Sequence, residues 1–455
     1  MKRVVLLVTV VSLGSGCMPA PSADESAKPG AADRVNPARS GSDWPRFLGP
    51  RDDGSSPETG ILTKWPKNGL RKVWDCELGI GYAPPAIAAG RLFHFDRYED
   101  RCRLTCRNAA TGEFLWKFEY PTDYEDIYGY EPGPRCGPVV DGERVYCYGP
   151  EGMLHCLVTT DGKLLWKLDT REKYRFHQNF FGVGSAPLIY GDLLILAVGG
   201  SPAGPRPFDL REAKGNGTAI VALDKATGAV KYTLGDELAS YSSPIVAKIG
   251  GRELGLYFAR GGLLGFDPVT GKEAFHFPWR ASILESVNAA NPVVAGDMVL
   301  ISECYEVGTA LVKIGKDNRV SPVWSDANND RFEKILLSHW CTPIIDSGMI
   351  YGCSGRHSNE AELRCIDLAS GEVKWKERRT SRCTLLKIDG HLLSLGEYAE
   401  LRLIKLNPEK YEEVARWENP DLAYPCWAPP AVSRGLLYLR GRGRLAVYEL
   451  IPQQP

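Results

Sequence analysis

The chain has 455 residues, 44% of them hydrophobic, so it is long enough to bury one large core or several ordinary ones. Its formal net charge of -1 gives no electrostatic basis for binding nucleic acid or an anionic membrane surface. The 48 glycines and 32 prolines indicate frequent turns, as expected for a chain made of many short strands.

Residues 1–17 are predicted to be an export signal that is not part of the fold. Two basic residues start it, and residues 4–13 form an apolar stretch too short to span a membrane as a helix. A Gly-Ser-Gly-Cys sequence then ends at Cys17 and resembles a bacterial lipobox, although Gly14 stands where leucine is usual. Cys17 is therefore the predicted lipidation site, with simple secretion as the alternative.

Two further segments precede the repeated part of the chain. Residues 18–42 are rich in Ala, Pro, Ser and Asp without an apolar period, and they are predicted to be a disordered tether. Residues 43–70 begin with Asp-Trp-Pro-Arg-Phe and are predicted to pack on the folded domain. No later stretch is apolar enough for a transmembrane helix, so we expect membrane association only through the lipid anchor.

One pattern recurs from residue 71 to the end of the chain. A small residue, a proline and alternating apolar residues lead through a tight turn to a second strand, and a second hairpin follows. Eight such units begin near residues 82, 136, 185, 242, 289, 341, 383 and 427. The last unit lacks its fourth strand, which residues 71–78 can supply so that the ring closes. The sequence therefore predicts an all-β fold, an eight-bladed β-propeller over residues 71–455.

A large aromatic residue stands in the fourth strand of most units. Where the second hairpin carries a Thr-Gly or similar turn, the aromatic follows the glycine by four residues, as Trp116 follows Gly112. At this outer position a large ring can pack between neighbouring blades, so these tryptophans are predicted to be structural. They are Trp74, Trp116, Trp166, Trp324, Trp375 and Trp417.

The loop lengths predict which end of the propeller carries a site. The turns within both hairpins of a unit are short, and they open on what we call the tight-turn face. The remaining loops, such as residues 121–134, 171–183 and 325–339, are long and open on the opposite, long-loop face. Long loops in a compact domain are usually functional, although they can also merely cap the core. The candidate residues at this mouth of the central channel are Tyr82, Arg135, Asn179, Tyr241, Glu285, Asn288, Asn291, His339, Trp340, Arg382 and Trp427.

The cysteines allow two interpretations. If Cys17 carries lipid, 12 of the 13 cysteines remain, and an exported protein can pair them. Several stand at matching repeat positions, such as Cys136 and Cys341, which favours a role as small buried apolar residues. Cys102 and Cys106 are the first pair to test for a disulfide.

The alternation of small-Pro-apolar strands with Thr-Gly-x-x-x-Trp hairpins resembles the repeats of pyrroloquinoline-quinone (PQQ)-like propellers over residues 71–450. The start of the 43–70 segment is similar to that of exported PQQ-like repeat proteins common in planctomycete-type bacteria. This repeat is specific for the fold and weak for function.

One role that the resemblance implies is a PQQ-dependent dehydrogenase of alcohols or sugars. Such an enzyme needs calcium held by oxygen ligands, a base, and an aromatic floor under the quinone. Glu285, Asn288 and Asn291 could supply oxygens, and Trp340 or Trp427 a floor. The sequence lacks an adjacent cysteine pair, the haem-binding Cys-x-x-Cys-His and other catalytic motifs, so no resident cofactor, metal or catalytic residue is expected.

The other role is that of the BamB-like lipoprotein propellers of the outer-membrane barrel-assembly machinery. They share the fold, the lipid anchor and the lack of a cofactor. We therefore expect an exported, non-catalytic, monomeric scaffold on the periplasmic or cell-envelope side. It would present its long-loop face to an envelope protein or a small ligand. A carbohydrate- or polymer-binding propeller is a third interpretation, because the mouth is rich in aromatic residues.

Overall fold

A computed structural model describes residues 39–176, 180–205, 212–283, 286–419 and 421–452. The predicted export signal with Cys17, most of the predicted tether, and the candidate residues Asn179 and Glu285 lie outside these ranges. Within them, we find no helix with both the length and the apolar character needed to cross a membrane.

The structure confirms the eight-bladed β-propeller, with each blade a four-stranded antiparallel sheet. Two strands precede the first blade, β1 (Ser55–Ser56) and β2 (Lys72–Glu77). Blade 1 has β3 (Ala86–Ala88), β4 (Arg91–Tyr98), β5 (Arg101–Asn108) and β6 (Phe114–Pro121); blade 2 has β7 (Val139–Asp141), β8 (Arg144–Tyr148), β9 (Met153–Val158) and β10 (Leu164–Asp169); blade 3 has β11 (Leu188–Tyr190), β12 (Leu193–Ala197), β13 (Ile220–Asp224) and β14 (Val230–Leu234); blade 4 has β15 (Ile245–Ile249), β16 (Arg252–Phe258), β17 (Gly262–Phe266) and β18 (Glu273–Pro278).

The second half of the ring repeats this plan. Blade 5 has β19 (Val293–Ala295), β20 (Met298–Ser302), β21 (Thr309–Ile314) and β22 (Val320–Ser325); blade 6 has β23 (Ile344–Asp346), β24 (Met349–Ser354), β25 (Glu362–Asp367) and β26 (Val373–Arg378); blade 7 has β27 (Cys383–Ile388), β28 (His391–Gly396), β29 (Glu400–Lys405) and β30 (Glu413–Glu418); blade 8 has β31 (Ala431–Ser433), β32 (Leu436–Gly441) and β33 (Arg444–Glu449). The described helices are short: α1 (Thr170–Tyr174), and a 3-10 turn at Arg331–Glu333.

The innermost strands begin a few residues later than the repeat pattern predicts in most blades. β3 begins two residues after Pro84, and the innermost strands of blades 2 to 6 and of blade 8 also begin only after their proline. A proline has no N–H to donate to the sheet, so regular pairing starts beyond it. Blade 7 has no such proline, and β27 begins at the predicted position, Cys383.

The N-terminal strand closes the ring, as the sequence predicted. β2 pairs antiparallel with β33, with Trp74 opposite Val447 and Asp75 opposite Ala446. It completes the sheet of blade 8 in the order β2, β33, β32, β31. The first and last strands of the propeller, β2 and β33, are therefore hydrogen-bonded to each other. The outer edge of β33 is thus paired and not exposed.

The outer-strand tryptophans reach from each blade into the next. The Trp74 indole N–H donates to the Ala109 carbonyl at 3.0 Å, in the turn of blade 1. The same bond joins Trp116 to Thr159 at 3.1 Å, Trp166 to Lys225 at 3.3 Å, Trp324 to Leu368 at 2.8 Å, and Trp375 to Asn407 at 2.9 Å. Trp417 packs edge-on against Tyr448 of blade 8 instead, with ring centroids 5.2 Å apart. All six predicted docking residues thus lie between blades.

Apolar residues of adjacent blades form the core, and most cysteines belong to it. Eleven of the twelve cysteines after Cys17 are buried, and Cys76 is half-buried. A Cys102–Cys106 disulfide, the first pair to test, does not fit the structure, because both cysteines lie on β5 four residues apart and carry free thiols. Four residues of extended strand span about 13 Å, whereas a disulfide needs Cα atoms within about 7 Å.

Candidate binding site at the channel mouth

The N-terminal segment crosses the central channel at its tight-turn end. Trp44 and Ile87 exchange two backbone hydrogen bonds of 2.8 Å at the free edge of β3. The Val140 amide of β7 donates to the Pro45 carbonyl at 2.8 Å. β1 then pairs in parallel with β27. The segment therefore contacts the innermost strands of blades 1, 2 and 7 and plugs the channel.

A carboxylate fixes the plug to the tight-turn face of blade 8. Glu58 accepts hydrogen bonds from the Arg434 and Gly435 amides, each at 2.7 Å, and from the Ser42 amide at 3.0 Å. The guanidinium of Arg39 donates to the Arg434 carbonyl at 3.0 Å and to the Ile451 carbonyl at 3.3 Å. The chain thus enters the described fold on the tight-turn face, beside its own C-terminal residues.

A cavity of about 210 Å³ lies between this plug and the long loops. Phe47 and Leu48 of the plug line it, so the channel is a cup with a floor and not an open pore. Tyr130 and Phe181, from the long loops, line its wall. Seven of the predicted mouth residues line the same cavity: Tyr82, Arg135, Tyr241, His339, Trp340, Arg382 and Trp427.

One wall of the cup is held by a buried ion pair. Arg382 donates to both carboxylate oxygens of Glu397, at 2.9 and 2.6 Å. The Trp427 indole N–H also donates to Glu397, at 3.1 Å. Burial opposes ionisation of Glu397, but hydrogen bonds from Arg382, Ser358 and Trp427 outweigh it and hold the pKa below its ordinary value. The guanidinium lies 4.7 Å from the ring centroid of Trp340, so this pair orients both tryptophans.

A second ion pair supports the opposite wall. Arg135 donates to Asp126 at 2.9 Å and to the Phe181 carbonyl at 3.1 Å. Its guanidinium stands between the rings of Tyr82 and Phe181, 4.7 and 4.9 Å from their centroids. Asp126 in turn accepts from the Tyr130 amide at 3.2 Å. Both arginines therefore line the cup with their charges already paired to a carboxylate, and each stacks on the aromatic rings beside it.

The histidine at the mouth is neutral at physiological pH. Burial, together with the nearby charges of Arg382 and Arg356, lowers the pKa of His339 to about 3. Its Nε2 lies 3.1 Å from the hydroxyl of Tyr305. The hydroxyl of Tyr241 accepts the Phe181 amide at 2.6 Å, and burial raises its pKa well above the ordinary value. Neither side chain is poised to move a proton near neutral pH.

The two predicted asparagines have structural partners and do not line the cup. Both are buried. The Asn288 amide group donates to the Ala259 carbonyl at 2.7 Å, and the Asn291 side chain accepts from the Ser243 amide at 2.7 Å. They join neighbouring blades beneath the mouth. Asn179 and Glu285 lie outside the described residues, so their places relative to the cup are not assigned.

The described residues do not fit a calcium-bound quinone. Among the residues that the structure describes, no Asp or Glu lines the cavity, and no group of three His, Cys, Asp or Glu side chains is placed to hold a metal. Asp126 and Glu397 are each bound to an arginine, and the side-chain oxygen of Asn291 accepts from the Ser243 amide. Asn288 donates its NH2 group to the Ala259 carbonyl, and its buried Oδ1 is the one oxygen of these four described side chains that has no hydrogen-bond or ion-pair partner. Calcium requires about six to eight oxygen ligands, which this set does not offer.

Exposed aromatic side chains are confined to the long-loop face among the described residues. Six aromatic residues are strongly exposed; five lie in loops of that face, and Tyr98 ends β4 at the same face. The exposed aliphatic residues lie mainly on outer strands and tight turns, as Leu165 and Val269 do. Tyr398 and Tyr424 stack at 4.9 Å, and Tyr424 contacts Trp427 at the cup. The six are Tyr98, Tyr128, Tyr130, Phe332, Tyr398 and Tyr424.

Comparison with solved structures supports the fold. BamB from Moraxella catarrhalis superposes with a TM-score of 0.55 at 14% identity, covering 85% of this chain and 99% of that one. Quinohemoprotein alcohol dehydrogenase from Comamonas testosteroni gives a TM-score of 0.62 at 11% identity, covering 91% and 81%. At such identities the likeness is one of fold alone. A search of curated proteins found no match.

The repeats, the closing strand and the aromatic cup define a PQQ-like repeat β-propeller. A family profile described as outer membrane protein assembly factor BamB matches residues 68–201 and 100–377, which span more than half of the chain. The chain belongs to this BamB-like family of propellers.

Sequence reasoning missed the floor of the cup and its supporting carboxylates. Phe47 and Leu48 stand in a segment without strand periodicity, so nothing in their spacing indicates the channel. Glu397 stands in a short loop of blade 7, and its partners come from blades 6, 7 and 8. The one available signal in the sequence is that Glu397 is an acidic residue inside an otherwise apolar hairpin. This signal does not indicate which residues the carboxylate binds.

Proposed function

We propose that this protein is a non-catalytic scaffold of the cell envelope, which presents the long-loop face of its propeller to a partner protein during envelope assembly. The observation that carries the proposal is the confinement of the exposed aromatic side chains to that face. Tyrosine, tryptophan and arginine dominate binding energy at protein interfaces. Membership of a family described as outer membrane protein assembly factor supports the same role.

The cup is suited to receive an apolar side chain of the partner. Its walls are rings held by Arg382 and Arg135, whose charges are already paired with buried carboxylates. A partner side chain that enters therefore meets an apolar surface that needs no reordering. Such preorganisation lowers the entropy cost of binding. The floor at Phe47 and Leu48 and a volume of about 210 Å³ suit the cup to a side chain or a chain end of the partner.

The attachment of the chain leaves this face free. Arg39, the first described residue, lies on the tight-turn face, opposite the aromatic rim. With Cys17 lipidated, as we propose, the membrane would lie toward the tight-turn face. The long-loop face would then point into the periplasm as a monomer's docking surface.

Site-specific cross-linking in envelope membranes tests this proposal. A photoreactive phenylalanine analogue replaces Tyr424 or Tyr128 on the rim, and Val269 on the tight-turn face as control. We expect one discrete cross-linked partner from the two rim positions and none from Val269. Equal cross-linking from Val269, or none from the rim, would contradict the assigned face.

Alanine variants measure the contribution of the rim once the partner is isolated. We expect Tyr398→Ala with Tyr424→Ala to weaken binding by at least about 10-fold, which corresponds to about 1.4 kcal/mol. The matched control is Leu164→Ala with Leu165→Ala, two exposed apolar residues on an outer strand of blade 2. Equal effects of the two double variants would show that the rim has no special role.

A separate assay addresses the dehydrogenase alternative. The purified protein is incubated with PQQ and calcium, and dye-linked oxidation of alcohols and sugars is measured. We expect no activity, because the described lining residues include no carboxylate to hold calcium. A shifted quinone absorbance accompanied by dye reduction would overturn the non-catalytic assignment.

A binding assay addresses the carbohydrate alternative. Retention of the protein on immobilised polysaccharide, if the rim variants abolish it, would favour a carbohydrate ligand instead.

A further inference from the structure

Three buried thiols meet where blade 6 packs on blade 7. Cys341 precedes β23, Cys353 lies in β24, and Cys383 begins β27, which contacts β24. The Cys383 amide donates to Cys353 Sγ at 3.4 Å, and the Cys353 thiol donates to the Ser381 carbonyl at 3.8 Å. The Cys341 thiol donates to the carbonyl of Thr342 at 3.7 Å. Cys353 and Cys383 are therefore the pair in direct contact.

We propose that Cys353 and Cys383 form a disulfide that joins blades 6 and 7 when the chain folds in an oxidising compartment. The Cys353 sulfur already contacts the backbone amide of Cys383, and the two residues belong to different blades. The cross-link would close a loop of about 30 residues and so restrict the unfolded chain. Both residues are buried, so the completed disulfide would be sealed from reductants. This inference is independent of partner binding.

The chemistry is ordinary thiol–disulfide exchange with a disulfide oxidoreductase of the exported compartment. The Cys383 thiolate attacks a sulfur of the oxidant's disulfide, and the other oxidant sulfur leaves as a thiolate. The Cys353 thiolate then attacks Cys383 Sγ and releases the oxidant's second sulfur. Two cysteine thiols thus lose two electrons and two protons, and the oxidant becomes a dithiol. The hydrogen bond from Cys353 lowers the pKa of the Cys383 thiol despite its burial, which favours Cys383 as the attacking group.

Peptide mapping of the exported chain tests the disulfide. The protein is produced with a host export signal in place of residues 1–17, and in parallel without any signal in a reducing cytosol. Both samples are denatured with an alkylating agent but no reductant and digested with trypsin. Cleavage releases residues 335–356, which carry Cys341 and Cys353, and residues 383–387, which carry Cys383. We expect the two peptides to be linked in the exported sample and separate in the cytosolic one.

Two variants assign the partner of Cys383. Cys341→Ala should keep the link, whereas Cys353→Ala should lose it and leave Cys383 alkylated. Circular dichroism of each variant establishes that the propeller has formed. Full alkylation of Cys383 in the exported wild type would overturn the proposal. A link that survives in Cys353→Ala would overturn it too, because the partner would then be Cys341.

Discussion

The glycine in the second-hairpin turn of blades 1, 2, 3, 4 and 6 makes room for a large aromatic ring of the preceding blade. Gly112 has φ +77°, and a Cβ atom placed on it would lie 2.7 Å from the Trp74 ring. Gly142, in the first hairpin of blade 2, has φ +57° but nothing within 4 Å of the same position. The two glycines share the left-handed conformation, but only Gly112 is crowded by a ring. Comparing them therefore separates the cost of positive φ from the cost of displacing Trp74.

We expect Gly112→Ala to destabilise the propeller more than Gly142→Ala. Both variants place alanine at positive φ, which costs about 1 kcal/mol. Gly112→Ala also displaces Trp74, and overpacking typically adds about 1–3 kcal/mol. Thermal unfolding of both variants measures the difference. Equal melting temperatures would mean that the Trp74 ring moves aside freely and that docking at this turn contributes little.

Buried histidines make stability depend on pH. Burial lowers the pKa of His155 to about 4, and that of His94 and His339 to about 3. In the unfolded chain each would titrate near about 6.5. Below that pH these histidines are protonated in the unfolded state but stay neutral in the folded state. The free energy of unfolding therefore falls as the pH falls toward the pKa of each histidine in the folded protein.

Replacing one of these histidines should flatten this dependence. His155 packs between the rings of Phe118 and Tyr120, 5.0 and 4.4 Å away, so His155→Phe keeps an aromatic ring there. Between pH 6 and 4.5 we expect the variant to lose stability less steeply, by up to about 1.4 kcal/mol per pH unit. Urea unfolding at several pH values measures how the unfolding free energy of the wild type and of His155→Phe depends on pH. The difference between the two proteins at pH 7.5, where His155 is neutral in both states, measures the effect of the substitution on packing. Parallel slopes would contradict a neutral buried His155.

At the scale of elements, the plug is irregular chain held by a few specific contacts. Glu58 alone accepts the Arg434 and Gly435 amides and one from Ser42. We expect Glu58→Ala to leave these donors unpaired and loosen the segment without unfolding the blades. Hydrogen–deuterium exchange of residues 43–56 should then rise several-fold. Glu113→Ala, at an exposed turn, is the control, and unchanged exchange in Glu58→Ala would show that the edge pairing of Trp44 and β1 suffices.

The elements that the sequence predicts well are those with a period. Alternating strands recur eight times, with a proline in seven units and a Thr-Gly or similar turn in five. The blades and the closing strand around Trp74 could therefore be placed without coordinates. Seven of the eleven mouth residues could be predicted, because each stands near the start of an innermost strand. Asn288 and Asn291 stand there too but join neighbouring blades instead. Strand bounds were less exact, because a proline such as Pro84 delays pairing. The plug has no period, and the Arg382–Glu397 pair depends on a contact between loops, so neither could be derived.

At the scale of the whole molecule, the ring depends on contacts between the two ends of the chain. Besides the β2–β33 ladder, Arg440 of β32 is fully buried and points into blade 1. Its guanidinium donates to the Phe95 carbonyl at 3.0 Å and the Gly81 carbonyl at 2.9 Å, and it also binds the Ala83 carbonyl. One C-terminal side chain thus satisfies three carbonyls of the N-terminal part. A charged donor that is buried with such partners stabilises the junction only while all the bonds are made.

Arg440→Met should therefore destabilise the closed ring, because the substitution affects the junction between the two ends of the chain. The variant keeps an apolar stem of similar length but leaves three buried carbonyls without a donor, so we expect a loss of about 3 kcal/mol or more. Arg416→Met, on the outer strand of blade 7, is the control for loss of a charge at a largely exposed site. Thermal unfolding measures both losses, and exchange within β2 and β33 locates the effect. We expect a lower melting temperature together with faster exchange in β2 and β33, because these strands separate first when the contacts between the two ends of the chain are weakened. A lower melting temperature with unchanged exchange in β2 and β33 would mean that Arg440 stabilises blade 1 alone and that the ladder closes the ring by itself.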